Sequence, residues 1–273
     1  MTTQNVLFGA VLALGLVAHP GPAAVQQSAA ANNWCADQSW GDDRQGTCDV
    51  REYTVPGSGA TLTVDAAPNG GIEVEGSARG DVHVLARVVA TADTADRARA
   101  IASGVQVVAT PDRVHATGPR TTGHGEGWSV SYRLAVPTAT PLSLQTTNGG
   151  IRLAGLNSQI DFRTTNGGVK LSGLGGDVHG RTTNGGVDIE LDGASWNGGG
   201  LDVQTTNGGV RLAVPEGYSA HLETGTENGG VHVDFPITVQ GSIGRRHLST
   251  DLGGGGPTLR VQTTNGGVTI RRP

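Results

Sequence analysis

Aromatic residues and basic runs are scarce in this sequence, and their scarcity argues against a nucleic-acid-binding protein. Phe, Trp and Tyr together make up 4% of the 273 residues, and the only lysine is Lys170. Proteins that bind nucleic acids usually carry clustered Lys and Arg beside aromatic side chains on which bases stack. The formal net charge of −5 also opposes binding to phosphates. We therefore predict no nucleic-acid partner.

Motifs of catalysis are missing as well. The sequence has no His-Glu-x-x-His, no Gly-x-Ser-x-Gly and no phosphate loop ending in Lys-Ser or Lys-Thr. Its eight histidines are scattered, and no carboxylate cluster of the kind that glycosidases use stands out. Residues 188–193 resemble the start of a calcium loop, but Gly199 stands where that loop needs a bidentate glutamate. We predict no catalytic residue, no metal and no cofactor.

Long apolar runs are limited to one segment near the N-terminus. Residues 6–18 are uncharged and apolar, which is too short to span a bilayer but fits the core of a signal peptide. Small residues follow at 23–31, where a peptidase can cleave, although no Lys or Arg precedes the apolar run. We predict a signal peptide over residues 1–31 and export to the periplasm, the cell surface or the extracellular space. We predict no transmembrane segment in the mature chain.

Cysteine is limited to Cys35 and Cys48, both just after the predicted cleavage region. Two cysteines in an exported chain predict one disulfide, and a loop this short is stabilised by about 3 kcal/mol in the chain-entropy model. Nearby His and Cys partners for a zinc site are missing. We predict a disulfide-tied, irregular lead-in over residues 32–52.

Glycine is abundant instead, with 45 residues, and it alternates with regularly placed Val, Ile and Leu. This combination predicts short strands joined by tight turns. In the N-terminal region, residues 53–140, one stretch changes to helical spacing and predicts a helix near 94–103, with Asp93 as N-cap and Gly104 as its stop. The predicted strands of this region are 60–64, 71–75, 81–89, 105–110, 113–117 and 128–136.

The C-terminal half, residues 141–273, repeats the motif Thr-Thr-Asn-Gly-Gly-Val. The spacings from Asn to Asn are 18, 18, 23, 21 and 37 residues. Identical residues at a short period predict a β-solenoid in which each coil is one strand-turn-strand unit. The longer spacings predict inserted loops, or a degenerate coil near 236–256. Because Asn-Gly is also a strong hairpin signal, a β-hairpin meander or sandwich is the alternative fold.

The parity within the repeat predicts which residues face the core. Counting in twos places the apolar residues, the first Thr and the Asn of each motif on one face. Stacked coils then align the asparagines in an interior ladder, and Asn-Gly supplies positive φ for the turn. The second Thr faces water, which agrees with Glu227 at that place in the fifth copy. The predicted ladder consists of Asn148, Asn166, Asn184, Asn207, Asn228 and Asn265.

The order of these elements resembles the DUF4097 family, a β-strand repeat family often labelled as candidate adhesins. The resemblance covers roughly residues 53–273. It rests on the early Asn69-Gly-Gly-Ile, the single helix, the strand Val130–Pro137 that enters the repeats, and the later Thr-x-Asn-Gly units. It implies a bacterial envelope or secreted protein of β-solenoid type, and no established chemistry.

We hypothesise an exported, adhesin-like scaffold of the cell envelope that presents a polar β-surface for weak multivalent binding, without catalysis. The candidate partners are an envelope glycan, an envelope protein or a second copy of the chain. One alternative is a carbohydrate-active β-helix enzyme, which needs carboxylates converging in a deep groove. Another is a structural or assembly module of an envelope stress system.

Overall fold

The computed structural model of the protein describes residues 34–36, 39–40, 44–236 and 241–273. The predicted signal peptide, residues 1–31, lies outside the described residues. In the described ranges, no helix is both long enough and apolar enough to span a bilayer.

The described residues form a chain of short strands interrupted by one helix. In chain order the elements are β1 (Gln45–Pro56), β2 (Leu62–Asp65), β3 (Ile72–Ser77), β4 (Asp81–Ala92), α1 (Ala95–Gly104), β5 (Gln106–Ala109), β6 (Arg113–Thr117), β7 (Gly127–Pro137), β8 (Leu142–Asn148), β9 (Ile151–Ala154), β10 (Asn157–Asn166), β11 (Val169–Ser172), β12 (Gly175–Asn184), β13 (Val187–Glu190), β14 (Gly200–Asn207), β15 (Val210–Ala213), β16 (Ala220–Asn228), β17 (Val231–Val233), β18 (Gly241–Ile243), β19 (His247–Leu252), β20 (Thr258–Asn265) and β21 (Val268–Arg271).

The strands form two sheets that share one apolar core. Sheet A has the order β1-β4-β7-β3-β9-β11-β13-β15-β21-β17, and sheet B has the order β18-β19-β16-β20-β14-β12-β10-β8-β2-β6-β5. Every second residue of β4, from Val82 to Ala92, is buried, because successive side chains of a strand point to opposite faces. The core is one continuous cluster from Val55 to Ile270.

Each repeat forms one coil, which has a strand in sheet B, the Asn-Gly-Gly turn and a strand in sheet A. Neighbouring coils pair in parallel without offset, so that Asn166 is in register with Asn148 and with Asn184. The strands on the two sides of each turn belong to different sheets, and the turn therefore closes no hairpin. The predicted all-β solenoid is confirmed, and the hairpin meander is wrong.

The N-terminal region continues the same solenoid. β2, residues 69–71 and β3 form a first coil that pairs with β8 and β9. The predicted helix is present as α1, but its N-cap is Thr94 and not Asp93, because the extended backbone of Thr94 lets its side chain accept from Arg97 N. At the other end, Ala102 O accepts from Val105 N at 3.2 Å and also from Arg51 Nη2 at 2.9 Å, so Arg51 adds a second donor at the helix C-terminus.

The lead-in is more regular than the sequence predicted. Residues 45–56 form β1, which pairs antiparallel with β4 along its whole length and ends sheet A. The alternation of β1 is weak, with half-buried residues on both faces, because α1 and the segment around Trp34 cover parts of this edge. That weak alternation hid the strand from pattern analysis.

The coil that comes last in the sequence is inserted between two earlier ones. β20 pairs with β14 on one side and with β16 on the other, and β21 lies likewise between β15 and β17. The segment expected to be a loop or a degenerate coil instead supplies β18 and β19, an antiparallel pair that extends sheet B beyond β16. This detour explains the 37-residue gap before the last motif.

Candidate functional site

The asparagines of the repeats form a ladder on the surface. Each Nδ2 donates to the Oδ1 of the next asparagine at 2.8 Å. In spatial order the ladder is Asn69, Asn148, Asn166, Asn184, Asn207, Asn265 and Asn228. All seven are exposed, so the predicted interior position is wrong. In the repeats each Asn ends its sheet B strand, where the backbone leaves the sheet and the two-residue alternation no longer sets its direction.

Behind the ladder, the first Thr of each motif is buried and bonds to the neighbouring coil. Thr182, which is 0% exposed, donates from Oγ1 to Gly167 O at 2.9 Å. The same bond recurs at 2.7–2.8 Å in the other coils. Its donor and acceptor pairs are Thr146 and Gly70, Thr164 and Gly149, Thr205 and Gly185, Thr263 and Gly208, and Thr226 and Gly266.

The first Gly of the motif is required by close packing of the coils. A Cβ at Gly167 would lie 1.9 Å from Gly149 O, and a Cβ at Gly185 would lie 2.0 Å from Gly167 O. Neither glycine adopts the left-handed backbone, so the predicted need for positive φ is wrong here. The motif therefore specifies how closely one coil approaches the next.

The second Gly of the motif forms the floor of a shallow groove on the outer face of sheet A. The groove has a volume of ≈550 Å³, and its floor includes Gly71, Gly150, Gly168 and Gly186. A Cβ at Gly168 would meet its nearest atom at 3.6 Å and one at Gly186 at 3.4 Å, both ordinary contacts. Packing therefore demands glycine at the first position far more than at the second. The second glycines keep the groove open.

Charged side chains from six neighbouring strands border this floor. Strand register places them in the order Arg133, Glu73, Arg152, Lys170, Asp188 and Arg211. We call this set the sheet A row. Five strand spacings separate its ends, which is about 24 Å at ~4.8 Å per spacing.

The cations of the sheet A row differ in their partners. Glu73 accepts from Arg133 Nε at 3.0 Å, and its other oxygen lies 3.9 Å from Arg152 Nε. Within the described ranges, neither Lys170 nor Arg211 has a carboxylate within 4 Å. Two cations of the row are thus available to a ligand.

Trp34 closes one end of the groove. Its ring centroid lies 4.1 Å from Cζ of Arg133 and 4.9 Å from Cζ of Arg87, and Arg87 Nη1 donates to Trp34 O at 3.2 Å. The disulfide between Cys35 and Cys48 ties this segment to β1. Each cation–ring contact contributes about 0.5–2 kcal/mol, since Trp34 and Arg87 are half-buried.

Arg87 is the unusual cation of this end. It is half-buried, and burial first and the charge of Arg133 second lower its pKa. Its buried Nε has no hydrogen-bond partner among the described residues, and no described carboxylate forms an ion pair with it. An anion near the two guanidinium groups of Arg87 and Arg133 would offset their mutual repulsion, although the buried Nε is itself out of a ligand's reach.

On the outer face of sheet B, Arg260 is paired with carboxylates, whereas Arg163 and Arg181 have no carboxylate within 4 Å among the described residues. Arg260 Nη2 lies 2.7 Å from Glu223 Oε2 and Arg260 Nη1 lies 3.6 Å from Asp202 Oδ2. The hydrogen bond from Arg260 holds the pKa of Glu223 below its ordinary value. Arg181 donates to Gln204 at 2.9 Å. Arg163 and Arg181 of sheet B are therefore comparable in their lack of an ion pair to Lys170 and Arg211 of sheet A.

The antiparallel pair β16 and β19 brings together a Ser, a His and an Asp that the sequence did not suggest. His221 Nδ1 lies 2.6 Å from Asp251 Oδ1, and Ser249 Oγ lies 3.4 Å from His221 Nε2. Glu223 Oε1 competes for the same Nε2 at 3.6 Å. β19 is paired on both sides, by β16 and β18, so its backbone N–H groups are used by the sheet and offer no oxyanion hole at Ser249. We interpret the contact as cross-strand stabilisation.

The residues that line the groove were not predicted from the sequence. Arg152, Lys170, Asp188 and Arg211 each follow the Val or Ile that ends a motif, so an alignment of the copies on that position shows a charged column. Trp34, Arg87 and Arg133 meet only through tertiary packing and had no local signal. The residues that the motif highlighted build the scaffold beneath the groove and beside it.

Comparison with known proteins gives one family and several remote structures. The model of the family described as Toastrack DUF4097 matches residues 61–271. No curated protein matches the chain. A candidate cell adhesion protein from Clostridium sporogenes is similar at 11% identity and a TM-score of 0.42, over 83% of this chain and 100% of its own. A candidate adhesin from Bacteroides fragilis is similar at 12% identity and a TM-score of 0.34, over 83% of this chain and 97% of its own. A candidate adhesin from Parabacteroides distasonis is similar at 9% identity and a TM-score of 0.24, over 82% of this chain and 97% of its own.

Proposed function

The chain belongs to the Toastrack DUF4097 family, and on that premise we propose that it is an exported, adhesin-like scaffold. It binds a surface partner by many weak contacts along the outer face of sheet A, and it catalyses no reaction. The observation that carries the proposal is the open, glycine-floored groove bordered by the sheet A row.

The shape of the groove supports weak, repeated contact. Its polar groups come one per strand from a stacked scaffold, and their spacing is therefore fixed by the backbone. Exposed ion pairs contribute about 0.2–1 kcal/mol each, so one short ligand segment binds weakly. A long polymer or a crowded surface engages several such positions, and linked contacts raise avidity by about 10²–10⁴.

Export is supported by the disulfide. Cys35 and Cys48 are bonded, and such bonds persist in oxidising compartments outside the cytosol. The bond also has a role in the proposed site, because it holds the segment that places Trp34 at the end of the groove. The periplasm, the cell surface and the extracellular medium all fit this requirement.

The test compares monomeric and tetrameric protein on isolated bacterial envelope material. Biotinylated protein is used alone or on streptavidin, and the bound fraction is measured. We expect the tetramer to bind at least about 100-fold better than the monomer. The double variant Lys170→Glu, Arg211→Glu should lose this binding, while the matched variant Arg163→Glu, Arg181→Glu on sheet B should retain it.

Two outcomes contradict the proposal. If the sheet B variant alone loses binding, the surface is wrongly placed. If acetylated envelope polysaccharide releases acetate on incubation, and Ser249→Ala abolishes that release, the protein is an esterase and the contact between Ser249 and His221 is its centre.

A further inference from the structure

We infer that the groove of sheet A takes an acidic glycan, namely a linear polysaccharide with carboxylates along its length, lying across the strands. The inference rests on the proposed function and adds the chemistry of the partner. Its first support is charge: among the described residues, five cationic and two acidic side chains line the groove, an excess of three positive charges on a chain with a net charge of −5. A locally positive groove on an acidic protein attracts anions selectively.

The free donors match carboxylates. Lys170 and Arg211 have no carboxylate within 4 Å among the described residues, although Asp188 lies between them in the strand register. Guanidinium groups bind carboxylates through paired N–H donors in a planar fork. An incoming carboxylate would also reduce the repulsion between Arg87 and Arg133 that lowers the pKa of Arg87.

The floor of the groove matches a sugar chain in period and in shape. Neighbouring strands are separated by ~4.8 Å, and an extended pyranose unit advances by a similar length. A glycan lying across the strands therefore presents successive sugars to successive coils without losing register. The glycines at 150, 168 and 186 leave room for the rings, and their neighbours Arg152, Lys170 and Asp188 reach the substituents.

The end of the groove adds an apolar surface. Trp34 lines it and is held in place by the contacts of its ring and its carbonyl with two arginines. Because the two arginines lie over the ring, the indole offers a sugar only its remaining exposed surface, which still gives an apolar contact that charged groups do not. Single-stranded nucleic acid fits less well, because it needs a series of aromatic platforms and Trp34 is the one aromatic ring in the described lining besides the core residue Tyr132.

The glycines allow a test that separates binding from folding. Gly168→Ala and Gly186→Ala place methyl groups on the floor at 3.6 and 3.4 Å from their nearest atoms, so the fold accommodates them. They fill the space that a sugar ring would occupy. The double variant should melt like the parent protein and bind at least about fivefold more weakly, since a fivefold loss corresponds to one displaced contact.

The probe is a galacturonate hexasaccharide, with its carboxyl-reduced form as matched ligand, and binding is measured by calorimetry on the full chain. We expect the hexasaccharide to bind at low ionic strength and to weaken with added salt. We expect the reduced form to bind at least about tenfold more weakly. Lys170→Gln with Arg211→Gln should weaken binding about tenfold, and the matched double variant Arg163→Gln with Arg181→Gln on sheet B should leave it unchanged.

Several results overturn the inference. Equal binding of the reduced sugar removes the need for carboxylates, and tighter binding of a heparin hexasaccharide assigns the groove to sulfated glycans. Tighter binding of a single-stranded oligonucleotide assigns it to nucleic acid. In each of these cases the proposed function still stands if the tetramer binds envelope material through sheet A. If the tetramer does not bind envelope material while the hexasaccharide binds in the groove, the proposed function is wrong, but the inference that the groove binds an acidic glycan still holds.

Discussion

Replacing Thr182 by Val tests whether a hydroxyl holds the coils together. Valine keeps the shape of the side chain, which is fully buried, but it removes the donor to Gly167 O at 2.9 Å. An unpaired buried carbonyl costs about 1–3 kcal/mol. Burial of the extra methyl group of valine offsets at most ~0.8 kcal/mol of this loss in stability. We expect Thr182→Val to lower the free energy of unfolding by about 1–2 kcal/mol.

The assay is urea unfolding followed by far-ultraviolet circular dichroism, together with amide exchange at Val187 and Ile189, which lie in the same coil. Local exchange matters because a stacked array need not unfold in one step. Thr182→Ser keeps the donor and loses one methyl group, and Thr183→Val changes the neighbouring residue that points away from the core. The reasoning is refuted if Thr182→Val is as stable as the parent while Thr182→Ser is destabilised, because packing alone then explains the burial.

Three further predictions follow from the same contacts. Gly167→Ala should prevent close stacking and lower the melting temperature sharply, whereas Gly168→Ala should leave it unchanged in the same thermal scan. Asn184→Ala should cost only about 0.5–1 kcal/mol in urea unfolding, because its two ladder bonds are exposed, and a larger loss would show that the ladder is structurally dominant. Arg260→Gln should destabilise the protein at pH 7 but not in acid. Arg260 lowers the pKa of Glu223, and this interaction stabilises the folded state above the ordinary pKa of 4.5 and is lost as the pH falls and Glu223 is protonated. The melting temperatures of variant and parent should therefore differ at pH 7 and agree at pH 3.

The repeated part of the fold was predictable because local and global signals agree there. The parity of Leu142, Leu144 and Thr146 gave the buried face, and equal spacing gave parallel stacking in register. The same counting failed at Asn148, since alternation holds only while the chain remains a strand. Counting alternate residues also could not reveal the inserted coil, because the sequence of residues 257–273 does not indicate which two coils they lie between.

The groove was harder to predict than the scaffold. Lys170 and Arg211 occupy the same position after the second and the fourth copy of the motif, so the repeat contains half of the site. The other half depends on Trp34 meeting Arg87 and Arg133, which are more than 50 residues away along the chain. Such a contact is set by the antiparallel pairing of β1, β4 and β7, and pattern analysis did not find β1.

The inserted coil makes the order of synthesis differ from the order of assembly. Most stacked repeat proteins can add each unit to the previous one as the chain emerges. Here β16 cannot reach its final neighbour until β20, 37 residues later, has entered between it and β14. Until then β14 has an open edge, and a nascent chain stalled before residue 257 exposes a strand ready to pair with another molecule. Folding should therefore end with a late closing step that a ribosome-bound chain lacking residues 257–273 cannot perform.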